Sequence, residues 1–131
     1  MQDNFLTVIQ SVFEASQNGT IHFGEVIQRL AAARVESYLV DYRTGRASYY
    51  LPDDTTVDVE FELPEAPIAK AFDGEAVKAA IRGAQSGKVK YPEFKVMTQA
   101  AGCTGYIVWI SGRHVSYFGR CGEVHVERFP D

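Results

Sequence analysis

The sequence predicts an α+β protein made of two tandem α-α-β-β-β units, with the helices packed on antiparallel sheet. Three observations support this fold class. The 131-residue chain matches itself when it is shifted by 68 residues. In each half, segments with apolar residues at helical spacing precede segments rich in aromatic and β-branched residues. Finally, a composition with 46% hydrophobic and 12% aromatic residues indicates a globular chain with a substantial core.

The self-match keeps one register from residue 17 to residue 50, whereas chance identities scatter over many registers. Positions between the identical residues also carry side chains of the same chemical type in both halves, as where Leu39 aligns with Ile107. We interpret residues 1–66 as the first unit and residues 67–131 as the second. Because half a chain buries little apolar surface, both units should share one core in a single domain. Whether they form one sheet or two stays open. The identities pair Gln17 with Gln85, Gly19 with Gly87, Glu25 with Glu93, Ala32 with Ala100, Ala33 with Ala101, Tyr38 with Tyr106, Val40 with Val108, Ser48 with Ser116 and Tyr49 with Tyr117.

Each unit is predicted to begin with two helices separated by a glycine. Apolar residues recur at helical spacing over residues 5–13 and 76–84. Asp3 or Asn4 is the expected cap of the first helix, and Asp73 is the expected cap of its counterpart. Glycine tolerates the left-handed conformation that ends a helix. The second helix of each unit is indicated by apolar residues at helical spacing over 23–30 and 94–101, and Pro92 fits the first turn of the latter helix. The breaks between the helices are Asn18-Gly19 and Ser86-Gly87.

Three strands are predicted to complete each unit. In the third strand of the first unit, Val57, Val59 and Phe61 alternate with acidic residues and should face the core. By the same alternation, Val124 and Val126 should face the core in the second unit. The predicted strands cover residues 38–42, 47–51, 57–61, 106–110, 113–118 and 124–127, the predicted two-residue turns are Thr44-Gly45, Ser111-Gly112 and Arg120-Cys121, and a proline-containing linker covers residues 63–71.

Charge and composition exclude several classes of function. A formal net charge of −4 argues against nucleic acid as a partner, because binding to phosphates needs a basic surface. Apolar runs are too short to span a bilayer, and the N-terminal segment does not resemble a secretory signal. Two cysteines make no disulfide framework. We therefore expect a cytoplasmic protein that is bound neither to a membrane nor to nucleic acid.

A calcium loop is one hypothesis for the break between the first two helices. With Gly19 at loop position six, the oxygen donors Glu14, Ser16 and Asn18 fall at positions one, three and five, and Glu25 at position twelve. Glutamate at position one departs from the aspartate that such loops prefer. A glycine turn between two helices explains the same residues without calcium, and we expect no bound metal here.

Residues of the types that bind zinc occur in the second unit, but their spacing fits no compact finger. They are Cys103, His114, Cys121 and His125. Neither cysteine belongs to a CxxC pair, and the predicted strands disperse the four residues. The sequence has no glycine-rich phosphate loop either, so no cofactor is predicted.

Polar residues on the outer face of the second unit form a weak candidate site. If the predicted turns have two residues each, His114 lies beside Trp109 and Glu127, and His125 lies beside Ser116. A small enzyme or a metal-binding protein could use such a group. The alternative is a sheet face covered by solvent or by a partner.

Ile107 and Trp109 are large apolar residues that the strand pattern places away from the core. An antiparallel sheet with one solvated face should alternate apolar and polar residues, and this strand does not. A large apolar residue on an outer face usually indicates contact. We predict that Ile107 and Trp109 lie at an interface, either with the other unit inside one chain, or with a second copy of the chain or another protein.

Several short motifs resemble the YbcV-like proteins, which are short bacterial and prophage proteins of unknown function, some of them labelled phage envelope proteins. The resemblance covers nearly the whole chain and implies no catalytic residue. Because the composition looks cytoplasmic, the envelope label carries little weight. The motifs are Pro67-Ile68-Ala69, Tyr91-Pro92-Glu93-Phe94, Ala101-Gly102, Tyr117-Phe118-Gly119 and Phe129-Pro130.

Two classes of function stay open from the sequence. The favoured one is a non-enzymatic binding or assembly module. The other is a small enzyme or a metal-binding protein that uses the outer sheet face around His114, His125 and Glu127. No nucleophile stands beside a base in a way that decides between them, so whether the protein is an enzyme is left undecided.

Overall fold

The structure is a computed structural model that describes residues 3–64 and 66–130, without the side chains of Asp3 and Asn4. This part of the chain contains four helices and six strands, in the order α-α-β-β-β-α-α-β-β-β. The elements are α1 (Asp3–Gln17), α2 (Phe23–Ala32), β1 (Ser37–Asp41), β2 (Arg46–Tyr50), β3 (Thr56–Glu60), α3 (Gly74–Gln85), α4 (Tyr91–Ala100), β4 (Cys103–Trp109), β5 (His114–Gly119) and β6 (Val124–Arg128).

All six strands form one antiparallel sheet, in the order β3-β2-β1-β4-β5-β6. The two halves of the chain meet at its centre through β1 and β4, where Leu39 lies opposite Ile107 and Ser37 opposite Trp109. Each half contributes its strands in the same order, from the centre to an edge. The α+β class and the helices packed on an antiparallel sheet are confirmed, and the question of one sheet or two is answered as one.

The four helices of the described residues pack on one face of the sheet, which we call the inner face, and the opposite face is the outer face. Fully buried residues of α1 and α2, such as Ile9 and Leu30, meet inward residues of the sheet, such as Val108, in one core cluster. Helix α3 contributes Val77 to the same cluster. One contiguous core is consistent with a single compact unit of structure.

The helix ends follow the sequence prediction where they can be compared. The Asp73 carboxylate accepts a hydrogen bond from the Ala76 backbone N–H at 3.1 Å and caps α3. Gly19 and Gly87 have φ angles of +69° and +80°, in the left-handed region that favours glycine. Pro92 lies in the first turn of α4. The cap predicted at Asp3 or Asn4 lies outside the described side chains.

Strand β6 is turned over relative to the prediction. The β5–β6 loop has three residues, 120–122, because the Gly119 N–H donates to the Glu123 carbonyl at 2.9 Å. One extra loop residue shifts the pairing by one and turns every side chain of the strand to the other face. Val124 and Val126 are therefore 56% and 50% exposed on the outer face, instead of facing the core.

The other two predicted turns are longer than two residues, but the strands that they join present the predicted side chains to each face of the sheet. The β4–β5 loop has four residues, 110–113, and places His114 beside Trp109 as expected. The β1–β2 loop covers residues 42–45 and pairs Asp41 with Arg46. An even change of loop length preserves which side chains face the core.

Candidate functional site

A cavity of about 700 Å³ lies between the helices and the inner face of the sheet. Its floor carries four tyrosines from four adjacent strands, and we call it the tyrosine cavity. The floor tyrosines are Tyr49, Tyr38, Tyr106 and Tyr117. All four helices contribute wall residues, while Phe61 and Phe129 line it beyond the two edge strands. Pockets for small molecules typically have about 300–1,000 Å³ and mainly apolar walls.

The floor tyrosines are arranged in two cross-strand pairs. The ring centroids of Tyr38 and Tyr49 are 5.0 Å apart in a stacked arrangement, and those of Tyr106 and Tyr117 are 5.4 Å apart. The hydroxyl of Tyr106 is 2.6 Å from that of Tyr91 on α4. Burial raises the pKa of every one of these phenols, so they stay neutral and act as hydrogen-bonding groups on a largely apolar surface.

Glu127 lines the cavity at the side of β6, where Arg82 of α3 holds it. A guanidinium nitrogen of Arg82 lies 2.8 Å from one Glu127 oxygen, and His125 Nε2 lies 3.5 Å from the other. Burial opposes ionisation of the Glu127 carboxyl, but hydrogen bonding and charge from Arg82, together with His125, lower its pKa overall. This side of the cavity therefore carries an ionised carboxylate whose charge Arg82 compensates.

Lys95 supplies a buried positive charge beside the same cavity. The residue is only 4% exposed. Its ammonium donates a hydrogen bond to Gln17 Oε1 at 2.6 Å and lies 4.9 Å from the ring centroid of Phe61 and 5.3 Å from that of Tyr91. Burial lowers the pKa of this lysine. All three of its contacts line the cavity.

Neither Lys95 nor the cavity was predicted from the sequence, although the sequence contains a signal for Lys95. In the 68-residue register, Lys95 aligns with Ile27, one of the apolar residues that defined the second helix of the first unit. A lysine at an apolar helix position is unusual, because charged side chains are rarely buried without a partner. The lysine at this apolar position is therefore the sequence feature that indicates a partner for Lys95.

The residues of the outer-face candidate are split between the two faces of the sheet. Ser116 and His114 do lie on the outer face beside Trp109, whose indole N–H donates to Ser116 Oγ at 3.2 Å. His125 and Glu127 lie on the inner face, where His125 is opposite Tyr117 rather than Ser116. The three-residue β5–β6 loop is the reason. A single outer site with His114, His125 and Glu127 is therefore wrong.

Trp109 and Ile107 face outward, as predicted. Trp109 is 38% exposed and Ile107 is half-buried between its strand neighbours Leu39 and Ser116. Burial of Trp109 by the other unit within one chain was one alternative for this residue. With the two units side by side in one sheet, Trp109 lies opposite Ser37 of the first half and keeps 38% of its surface exposed, and its place at an interface stays a prediction.

The residues considered for calcium do not form a calcium loop. Glu14 and Ser16 lie inside helix α1, and only residues 18–22 separate α1 from α2, whereas an EF-hand loop has twelve residues. Asn18 lies in this short break and Glu25 in the first turn of α2.

The zinc-type residues are dispersed over the second half of the chain. Cys103 is buried at the start of β4, where burial raises the pKa of its thiol to about 12, and Cys121 is exposed in the β5–β6 loop. His114 and His125 lie on opposite faces of the sheet. Within the described ranges, no three His, Cys, Asp or Glu residues are grouped as metal ligands.

The helices of the described chain are not long and apolar enough to cross a membrane. Comparison with known proteins gives three relatives, an uncharacterized protein of Mycobacterium bovis and two of Mycobacterium tuberculosis. Each is 27% identical over 113 residues, which cover 86% of this chain and 67% of the relative. A family of proteins of unknown function, DUF1398, matches residues 8–128. The chain therefore belongs to the DUF1398 family.

Proposed function

We propose that this protein is a non-enzymatic binding module that holds a small, mainly apolar ligand in the tyrosine cavity. The observation that carries the proposal is the cavity itself, with its volume of about 700 Å³ and its floor of four tyrosines. A cytoplasmic location and a relationship to the YbcV-like prophage proteins belong to the same proposal. The first is supported by composition, and the second by the short motifs quoted above.

The chemistry of the cavity favours binding over catalysis. Its floor phenols have pKa values raised by burial, so they are poor proton acceptors near neutral pH. The carboxylate of Glu127 is engaged by Arg82. The alternative of a small enzyme or a metal-binding protein relied on His114 and His125 acting together, and these lie on opposite faces of the sheet.

A cavity-filling variant tests this proposal. Ala84 of α3 lines the cavity, whereas Ala79 of the same helix is exposed to solvent. We expect wild-type protein to bind the neutral fluorescent probe N-phenyl-1-naphthylamine, with a blue shift of its emission. Ala84→Phe should weaken that binding at least about tenfold, which is about 1.4 kcal/mol, because the added ring occupies ligand space.

Ala79→Phe is the matched control, with the same substitution on the solvent side of the helix. It should bind the probe as the wild type does, and circular dichroism should show that both variants are folded. A wild type that does not bind the probe, or equal binding by Ala84→Phe, would reject the cavity as a ligand site.

A second candidate function is assembly of two copies through the outer face. It is favoured by exposed apolar side chains on that face, namely Trp109, Val124 and Val126, which are 38%, 56% and 50% exposed. Extended exposed apolar surfaces usually mark contact sites. We propose a second copy of the chain as the occupant, since a twofold axis can place this sheet face against itself.

We also propose that the two halves arose by tandem duplication. The shared element order, the strand order from centre to edge and the 68-residue register support this origin. An experimental structure in which the backbones of residues 4–62 and 73–129 follow different paths would contradict it.

A further inference from the structure

We propose that the ligand of the tyrosine cavity is a monocarboxylate with an apolar body, and that Lys95 binds its carboxylate. This inference rests on the proposed function, because it names the class of ligand that the cavity takes. The observation behind it is the buried ammonium of Lys95, which has no counter-ion among the described residues.

The ammonium of Lys95 is incompletely satisfied. An ammonium has three N–H donors, and one of them is directed at Gln17 Oε1. Phe61 and Tyr91 contribute ring faces, which attract a cation but supply no negative charge. Within residues 3–64 and 66–130, the ion pairs involve Glu127 with Arg82 and His125, and none involves Lys95. A buried charge without a counter-ion is unfavourable, and an anionic ligand would remove that penalty.

The other half of the chain has an apolar residue at the position that corresponds to Lys95. The corresponding residue of the first half is Ile27, which packs against the core in α2. An apolar residue therefore fits the same place in a helix of the same length. A buried lysine that stands where the other half has isoleucine, and that has no counter-ion, is explained by an anionic ligand.

Lys95 is not itself a lining residue, but its ammonium lies directly behind the cavity wall, so a carboxylate would reach it by displacing the Gln17 amide. Gln17, Phe61 and Tyr91 are the three contacts of the ammonium, and all of them line the cavity. The Gln17 side chain offers a neutral carbonyl oxygen where a carboxylate oxygen would bind more strongly. A ligand that displaces this amide would exchange a neutral acceptor for a charged one.

The rest of the cavity selects the body of the ligand. Tyrosine rings, with Val40 and Ala47 between them, present a mainly apolar floor that suits an alkyl or aryl group. Lys95 contacts Phe61 next to the edge strand β3, and Glu127 lies on the opposite edge strand β6. Five strand spacings separate these edges, which is roughly 24 Å. At that distance the Glu127–Arg82 ion pair has little direct influence on a carboxylate bound at Lys95.

Three ligands that differ only in their head group test the inference. Decanoate, decanol and decylamine would be used to displace N-phenyl-1-naphthylamine from the wild type, Lys95→Met and Ile27→Met. We expect the wild type to bind decanoate at least about tenfold more tightly than decanol, and decylamine most weakly. Lys95→Met should bind decanoate and decanol alike while keeping its affinity for the probe. Ile27→Met places the same residue at the corresponding position and should keep the wild-type preference.

The outcomes separate this inference from the proposed function. Equal affinity of the wild type for decanoate and decanol, or a carboxylate preference kept in Lys95→Met, would overturn the role of Lys95, while binding of the probe would leave the cavity standing as a ligand site. If the wild type fails to bind the probe and all three ligands, both proposals fail. Lys95→Gln, which keeps a polar side chain without the charge, serves as the second variant if Lys95→Met does not fold, and it should also lose the preference.

Discussion

Replacing Trp109 with alanine is expected to weaken self-association of the protein at least about 30-fold, which corresponds to about 2 kcal/mol. Trp109 is the last residue of the central strand β4 and faces outward, on the side of the sheet where none of the helices in the described chain packs. Its indole is positioned by the hydrogen bond to Ser116 Oγ. An exposed tryptophan beside other exposed apolar side chains is typical of the residues that dominate protein interfaces. Sedimentation velocity over a series of protein concentrations measures the change.

Met97→Ala is the matched control, because Met97 is 37% exposed on helix α4, away from the outer face. It should leave self-association unchanged. The thermal stability of monomeric Trp109→Ala should fall by less than a core truncation would cause, because the side chain is already partly in solvent. A wild type that stays monomeric at the highest concentration, or a variant that associates as tightly, would exclude the outer face as a dimer contact.

The largest loss of stability is expected from Gly102→Ala. Gly102 ends α4 with a φ of +90°, and an added Cβ would lie 2.2 Å from the Ala71 carbonyl oxygen and 2.8 Å from the Phe72 Cα. The substitution combines an unfavourable backbone conformation with a clash against the linker backbone. We expect the free energy of unfolding to fall by at least about 3 kcal/mol, measured by urea denaturation.

Gly87→Ala isolates the conformational part of that loss. Gly87 has a φ of +80°, but no atom lies within 4 Å of its added Cβ. Its cost should be only the left-handed conformation of an alanine, about 1–2 kcal/mol. Equal losses in the two variants would show that the linker moves away from position 102 at no cost, contrary to the expected clash.

Most elements could be predicted because each has a local cause. Helix ends follow from Asp73, Gly19 and Gly87, and strands from aromatic and β-branched runs between turns. The orientation of β6 could not be read from its own alternation, because it depends on whether the preceding loop has an even or an odd number of residues. The corresponding loop of the first half also has three residues, 52–54, which align with 120–122 in the 68-residue register. Across this loop the Leu51 N–H donates to the Thr55 carbonyl at 3.0 Å, as the Gly119 N–H donates to the Glu123 carbonyl in the second half.

The tyrosine cavity could not be predicted, because its volume is set by the distance between two layers and not by any one segment. Spacing along the chain identifies which residues face inward, and it found Tyr38, Tyr49, Tyr106 and Tyr117. It does not show whether the helices above fill the space between them. Lys95 is the residue by which the sequence could have suggested the proposed site, since a charge at an apolar helix position requires a partner that the local sequence does not provide.

The pairing of β1 with β4 at the centre of the sheet has a consequence during synthesis. Leu39 and its partner Ile107 are 68 residues apart, so a ribosome adding about 5–20 residues per second needs roughly 3–14 s between them. During that interval β1 lacks its partner β4, and any sheet that the first half forms has β1 as an open edge. Such an edge can pair with β4 of a neighbouring nascent chain, and the product would be a domain-swapped dimer. Crowded polysomes would favour that product, and slow initiation, with widely spaced ribosomes, would favour the monomeric sheet.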